Sequence, residues 1–207
     1  MARGRARLRA LLWVAGPVLA ACSVLAACSQ PVAEAPFWER FGPYDLEVSS
    51  FATLAELAAA SDGVVVARVE RIGEARILES DAADGVAYLP IVMRVERWIA
   101  GDVPELVPLE FLPVAVEQVP ALRQELEQSM PSEAVVLFLH EKRGDGEAGT
   151  YRVTSSTGLW AISARSALDT PLLEETPQAS GLYAAELAGI SSLNGLIAAL
   201  EARLRDA

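Results

Sequence analysis

The sequence predicts an α+β fold that is mainly β. Five to six strands close into a small barrel, with a helix between strands 3 and 4, a short N-terminal helix and an amphipathic C-terminal helix. Three observations predict it. Apolar, β-branched runs recur between Gly-, Pro- and Asp-bearing turns from Val64 to Ile162. One proline-opened helical stretch, Ala121 to Gln128, interrupts them after the third run. Near the C-terminus, Leu193, Leu196, Ile197, Leu200 and Leu204 fall at relative positions 0, 3, 4, 7 and 11, one face of a helix.

The first 48 residues stand outside that single domain, which is expected over 49–207. Arg3, Arg5, Arg7 and Arg9 precede any acidic residue, and an apolar run from Ala10 to Ala21 follows, broken by Gly16-Pro17. A basic start, a short apolar run and small residues at its exit read as a secretory signal over 1–27. A spanning helix needs about 20 unbroken apolar residues, which this run lacks. Leu25-Ala26-Ala27-Cys28 resembles the bacterial lipobox, whose cysteine takes a diacylglyceryl group before cleavage. Leu19-Ala20-Ala21-Cys22 repeats the pattern. Cys28 is the expected lipid attachment site and Cys22 the alternative, because polar Ser29-Gln30-Pro31 follows Cys28 as a tether would.

Each buried methylene contributes about 0.8 kcal/mol, so two or more acyl chains hold a protein stably at a membrane. The expected location is outside the cytoplasm, on the outer face of the cytoplasmic membrane or on an outer membrane if the cell has one. Cys22 in the signal and Cys28 at the expected lipid site are the only two cysteines, so the domain has no disulfide framework and stands on its core. Residues 28–48 read as a tether with a reach on the order of 25 Å. Phe37, Trp38, Phe41 and Tyr44 within it form an aromatic cluster. The cluster is expected to fold back onto the domain, because aromatic rings seldom stay in water; docking to a membrane or partner is the other reading.

The elements follow in order. Thr53-Leu54-Ala55-Glu56 matches a capping box opening a short helix to about Ala60, with Phe51, Leu54 and Leu57 inward. Val64 to Glu70 starts the first strand, apolar on both faces and then alternating. After an acidic turn, Glu79 to Gly85, a long strand is expected from Val86 to Ile99, with Ile91, Met93 and Val95 on one face and Arg94 and Glu96 on the other. Leu106 to Val116 is a third strand, broken or at an edge because Pro108 and Pro113 lie within it. Ala134 to Leu139 is continuously apolar and is expected to be the most buried strand. Gly144 to Gly149 makes a hairpin loop into Thr150–Thr154, and Gly158 leads into Leu159–Ile162. Residues 165–181 read as a surface loop, and Ser192 caps the closing helix, with Glu201 on its outer face.

Charge narrows the partners. Four of the 17 basic residues lie in the signal, which leaves 13 basic against 28 acidic residues, a net −15. Such a surface repels phosphate backbones, so nucleic acid is not an expected partner. Membrane attachment must come from the covalent lipid, and the remaining partner is a protein or another envelope component.

Three strands, a helix and two or three further strands is the order of an OB-type barrel. More specifically, the chain resembles exported bacterial barrels related to the tissue-inhibitor-of-metalloproteinase and netrin-like modules. Ala60-Ser61-Asp62-Gly63-Val64-Val65-Val66, the strand end Val95 to Asp102, Val136-Leu137-Phe138-Leu139 and Gly149 to Val153 leading to Gly158-Leu159-Trp160 carry the resemblance. It covers about Leu54 to Ile162. The animal inhibitors chelate a protease zinc through a free N-terminal cysteine held by disulfides. Here the corresponding cysteine is expected to be lipidated and has no partner, so that activity and its residues do not carry over.

Chemistry-bearing patterns are few. His140 is the only histidine, and a zinc site wants three or four ligands, so it reads as a strand-end residue; no metal and no cofactor is expected. Lys142, the only lysine, reads as a solvated turn residue beside Arg143. Glu79, Asp81 and Asp84 miss the spacing of a calcium loop and read as an acidic turn. Arg143-Gly144-Asp145 spells an adhesion tripeptide that a charged turn explains equally well. Trp160 sits in an apolar strand and reads as core, whereas Trp98, at a strand end, is the candidate ligand-binding residue. The expected function is a non-enzymatic, membrane-anchored binding module with no catalytic residues. The alternatives are a hydrolase centred on His140 and neighbouring carboxylates, or a regulator of an envelope protease.

Overall fold

A computed structural model of the chain describes residues 37–41, 51–78, 85–111, 113–144, 146–162, 167–172 and 183–205. In chain order these form α1 (Leu54–Ala59), β1 (Gly63–Ile72), β2 (Arg76–Leu78), β3 (Val86–Tyr88), β4 (Ile91–Gly101), β5 (Leu106–Leu109), β6 (Pro113–Ala115), α2 (Val119–Gln128), β7 (Val135–Glu141), β8 (Tyr151–Val153), β9 (Leu159–Ile162), β10 (Leu168–Asp169) and α3 (Leu193–Arg205). No described helix is long and apolar enough to cross a membrane.

The barrel follows from β1, which pairs antiparallel with β4 on one side and β7 on the other. β4 pairs with β5, β5 meets β8 in parallel at Leu109 and Tyr151, and β8 returns antiparallel to β7. Those five strands close a ring, with α2 between the third and fourth of them. The fold is the expected mainly-β, OB-like barrel with helices. Three register shifts along the β1–β4 ladder coil this pair, as closure of so small a barrel requires.

The continuous apolar runs are explained by two cores. Val65, Ala67, Ile91, Met93, Val95, Leu137 and Leu139 point into the barrel. Their neighbours Val64, Val66, Val136 and Phe138 point outward, where α1, α3 and Trp160 of β9 cover them. With both faces buried, β7 loses the alternation of a half-exposed strand, and Val135 to Leu139 is its fully buried part. α3 docks as its stripe predicts: Leu196, Ile197 and Leu200 are buried, with Leu193 and Leu204 partly so. Ser192 Oγ accepts from Gly195 N–H at 3.1 Å, capping it.

The aromatic cluster folds back. Phe37 and Trp38 are buried in the barrel core, and Phe41 stacks on Phe111 with ring centroids 4.5 Å apart. The segment read as tether, 28–48, therefore gives up Phe37–Phe41 to the fold; Tyr44 lies outside the described residues.

Several strand expectations need correction. The long strand at 86–99 is two strands, because Pro90 carries no N–H and ends the ladder. β3 leaves the barrel and joins β2 and β6 in a separate antiparallel sheet, where β2 was not foreseen. The proline-bearing third strand is broken as expected, into β5 and β6. α1 has Glu56 N–H bonded to Thr53 Oγ1 at 3.1 Å, but the Glu56 carboxylate takes the Ala52 N–H at 2.8 Å instead of that of Thr53. Glu201 is not on a free outer face, since it pairs with Arg97 of β4.

One glycine is required by the barrel end. Gly101 has φ +73°, and a Cβ there would lie 2.1 Å from Asp62 O and 2.8 Å from Gly63 Cα. Both atoms are backbone and cannot yield cheaply. Gly101→Ala is therefore expected to lower the urea midpoint clearly more than Gly146→Ala, which also has positive φ but open space around its Cβ. Equal midpoints for the two variants would contradict the close approach of β1 and β4.

Candidate functional site

The side chains with chemistry gather at one end and one flank of the barrel. The end is built where β1 begins, β4 finishes and β7 finishes: Gly63 pairs with both Gly101 and Leu139. Asp62, just before β1, donates its N–H to Leu139 O at 2.8 Å and so is fixed over the end of β7. Its carboxylate takes the Glu141 N–H at 2.9 Å, pairs with Arg143 at 2.9 Å and stands 2.9 Å from His140 Nδ1. The Glu141 N–H bond, with burial opposing and His140 and Arg143 assisting, holds Asp62 below the usual carboxylate range.

The Asp62–His140 pair has half of a nucleophilic constellation. The nearest hydroxyl in sequence, Ser61, is committed to Leu57 O at 2.8 Å and to Thr154 Oγ1 at 2.7 Å. Among the described residues no hydroxyl is hydrogen-bonded to His140. The adjoining cavity, about 180 Å³ and lined by His140, Glu141, Lys142, Arg143, Glu147 and Arg152, is smaller than ordinary small-molecule sites of about 300–1,000 Å³.

Trp98 stands on the same barrel end. It is 45 % exposed, and its indole N–H donates to Val103 O at 2.8 Å, which pins the ring beside the β4–β5 turn. It lines neither that cavity nor the larger one, about 310 Å³, formed by Ile99, Glu201, Leu204 and Arg205 between β4 and α3. Trp160 is fully buried in the outer core, in accord with its reading as a packing residue.

The flank holds a cluster that sequence reasoning missed. Glu110, 3 % exposed, receives Arg76 Nε at 3.0 Å, Arg76 Nη2 at 2.7 Å and Lys142 Nζ at 2.9 Å. Glu147 takes Lys142 Nζ at 2.7 Å, and Tyr88 lies under both cations, 4.0 Å from Lys142 Nζ and 4.9 Å from Arg76 Cζ. Lys142 is thus not the solvated turn residue expected. Burial pushes the Glu110 carboxyl up, but Arg76 and Lys142 outweigh it and hold the group below its ordinary value. The cluster joins the β2–β3 hairpin to the β7–β8 loop, the two connections that carry ligand-binding loops in OB-type barrels. In this chain they are bolted together by their own charges. The only hint in the sequence was a carboxylate, Glu110, inside an otherwise apolar run.

Other expected sites lie elsewhere. Cys28, Cys22, Glu79, Asp81, Asp84 and Asp145 are outside the described residues, and 163–166 and 173–182 of the C-terminal loop are as well. Among the described residues no three His, Cys, Asp or Glu side chains are placed to hold a metal ion.

Fold and site together define a small OB-like barrel with an aromatic, charged end and a self-paired ionic flank. No protein-family model matches the chain, and no curated protein or solved structure matches it.

Proposed function

We propose that this chain is an exported, lipid-anchored binding module, held at the membrane through Cys28 and contacting a protein or envelope component through its barrel. The observation that carries it is Leu25-Ala26-Ala27-Cys28 standing at the exit of a basic-then-apolar start. Supporting the binding role, Trp98 keeps a large aromatic surface in water with its only polar atom already bonded, so its ring face is left for a partner.

Cys28→Ser is expected to move the protein from the detergent phase to the aqueous phase in phase partitioning. Mass analysis of the wild-type N-terminus is expected to find a diacylglyceryl cysteine. Release by Cys22→Ser and not by Cys28→Ser would transfer the anchor to Cys22. Release by neither would end the lipoprotein reading.

The second reading, a hydrolase, rests on the 2.9 Å approach of Asp62 Oδ2 to His140 Nδ1. Hydrolysis of generic esters by the full chain, lost in His140→Ala, would carry it over the first.

A further inference from the structure

Arg152 is exposed and makes no hydrogen bond or ion pair among the described residues. Across the β7–β8 ladder it stands opposite His140, and opposite residues of an antiparallel pair share a face. That face is the outer one, because the flanking Tyr151 and Val153 lie in the barrel core. Arg152 and His140 both line the cavity of about 180 Å³ at this barrel end, together with Glu141, Lys142, Arg143 and Glu147.

The charges of the wall are matched in number but not all joined. Lys142 is held by Glu147 at 2.7 Å, and Arg143 by Asp62 at 2.9 Å. Arg152 and Glu141 are the remaining cation and anion, and no ion pair links them. Glu141 takes only the Gly149 N–H, at 3.2 Å, and a carboxylate has room for about four such bonds. His140 adds an oriented acceptor. Its Nδ1 stands 2.9 Å from the Asp62 carboxylate, which can only accept. In the neutral ring Nδ1 therefore carries the proton, and Nε2 keeps its lone pair with no partner among the described residues.

An anion in this cavity would meet Glu141, a cation would meet Arg152, and an uncharged molecule would leave both charges unanswered. A ligand that carries both signs answers both. Size narrows it further: an apolar cavity of about 150 Å³ takes benzene, so this one suits about half a dozen heavy atoms. That is too small for a drug-sized ligand and is the scale of glycine or alanine.

We propose that this cavity binds a small zwitterionic amino acid, its carboxylate on the Arg152 guanidinium and its ammonium on the Glu141 carboxylate and His140 Nε2. The ligand neither adds net charge to an acidic protein nor leaves either wall charge alone. The site goes beyond the contact with a protein or envelope component proposed above. Cys28→Ser does not touch it, so the two readings are tested apart.

The test is proton NMR of the untagged full chain in neutral detergent, read at the ring of its single histidine, His140. Glycine and alanine are each expected to shift that signal saturably. Glycinamide, which lacks the carboxylate, and N-acetylglycine, which lacks the ammonium, should each bind at least about tenfold more weakly, the worth of a hydrogen bond between charged groups. Arg152→Gln and Glu141→Gln should each weaken glycine binding by a similar factor. Arg71→Gln removes an exposed arginine near the far end of β1 and should change it less than about twofold. No saturable shift with either amino acid, or equal binding of glycine and both of its singly charged relatives, would overturn the assignment. Weakening by Arg71→Gln as large as that by Arg152→Gln would overturn it as well. The comparison of ligands needs only the wild-type chain, so it decides the matter even where a variant fails to fold.

Discussion

Glu110→Ala is expected to cost the fold about 3 kcal/mol in urea melts at neutral pH. Removing one member of a buried ion pair typically costs about 3–5 kcal/mol, because the opposite charge stays buried without compensation. Here Arg76 and Lys142 would lose their shared partner, with side chains 24 % and 12 % exposed. Some water reaches them and Glu147 still faces both, which places the loss at the lower end of that range. Glu110→Gln keeps the shape and a hydrogen-bond acceptor, and is expected to fall between wild type and alanine. The sign of the pH dependence follows from the depressed carboxyl. Its contribution is complete above the ordinary carboxylate value and is lost as pH falls through the lower folded value. The gap between wild type and Glu110→Gln should therefore narrow in acid. A gap that is constant with pH would mean that the cluster's charges contribute nothing to the fold.

Leu196→Ala is expected to destabilise by a similar amount, about 2–5 kcal/mol, the usual cost of truncating a buried leucine. Leu196 is fully buried among Phe138, Trp160 and Leu57, where α3 covers the outer face of the barrel. The surroundings include strands β7 and β9, which cannot close on the cavity without losing their pairing. Asn194→Ala, on the exposed side of the same helix, should change the midpoint little. Glu201→Ala is a poorer control, because it removes the pair with Arg97, a partly exposed bridge worth about 0–1 kcal/mol. If Leu196→Ala left the melt unchanged while abolishing capture of a crosslinked partner, the stripe would be an interaction surface and not a core.

The elements that the sequence made legible are those whose signal is local. The stripe of α3, the cap at Thr53, the proline break between β5 and β6 and the doubly buried β7 each show in a window of a dozen residues. In such windows side-chain period reports which face meets the core. The split of the 86–99 run was written in Pro90 and was overridden by the apolar run that continues on both sides of the proline. For function, the proposed export and anchor at Cys28 rest on the sequence alone, since a targeting signal is read as an unfolded peptide.

The charged groups behave differently. Glu110 and Lys142 are 32 residues apart, Arg76 and Glu110 34 apart, and Asp62 and Arg143 81 apart. No periodicity links such positions, because closing a barrel brings strands side by side in an order unlike their order in the chain. Composition therefore showed an acidic protein with one lysine and one histidine, but not that the lysine is buried between two glutamates. Which faces are apolar was determined along the chain; which charges meet was decided only when the ring closed, since Coulomb and hydrogen-bond partners are set by distance in space.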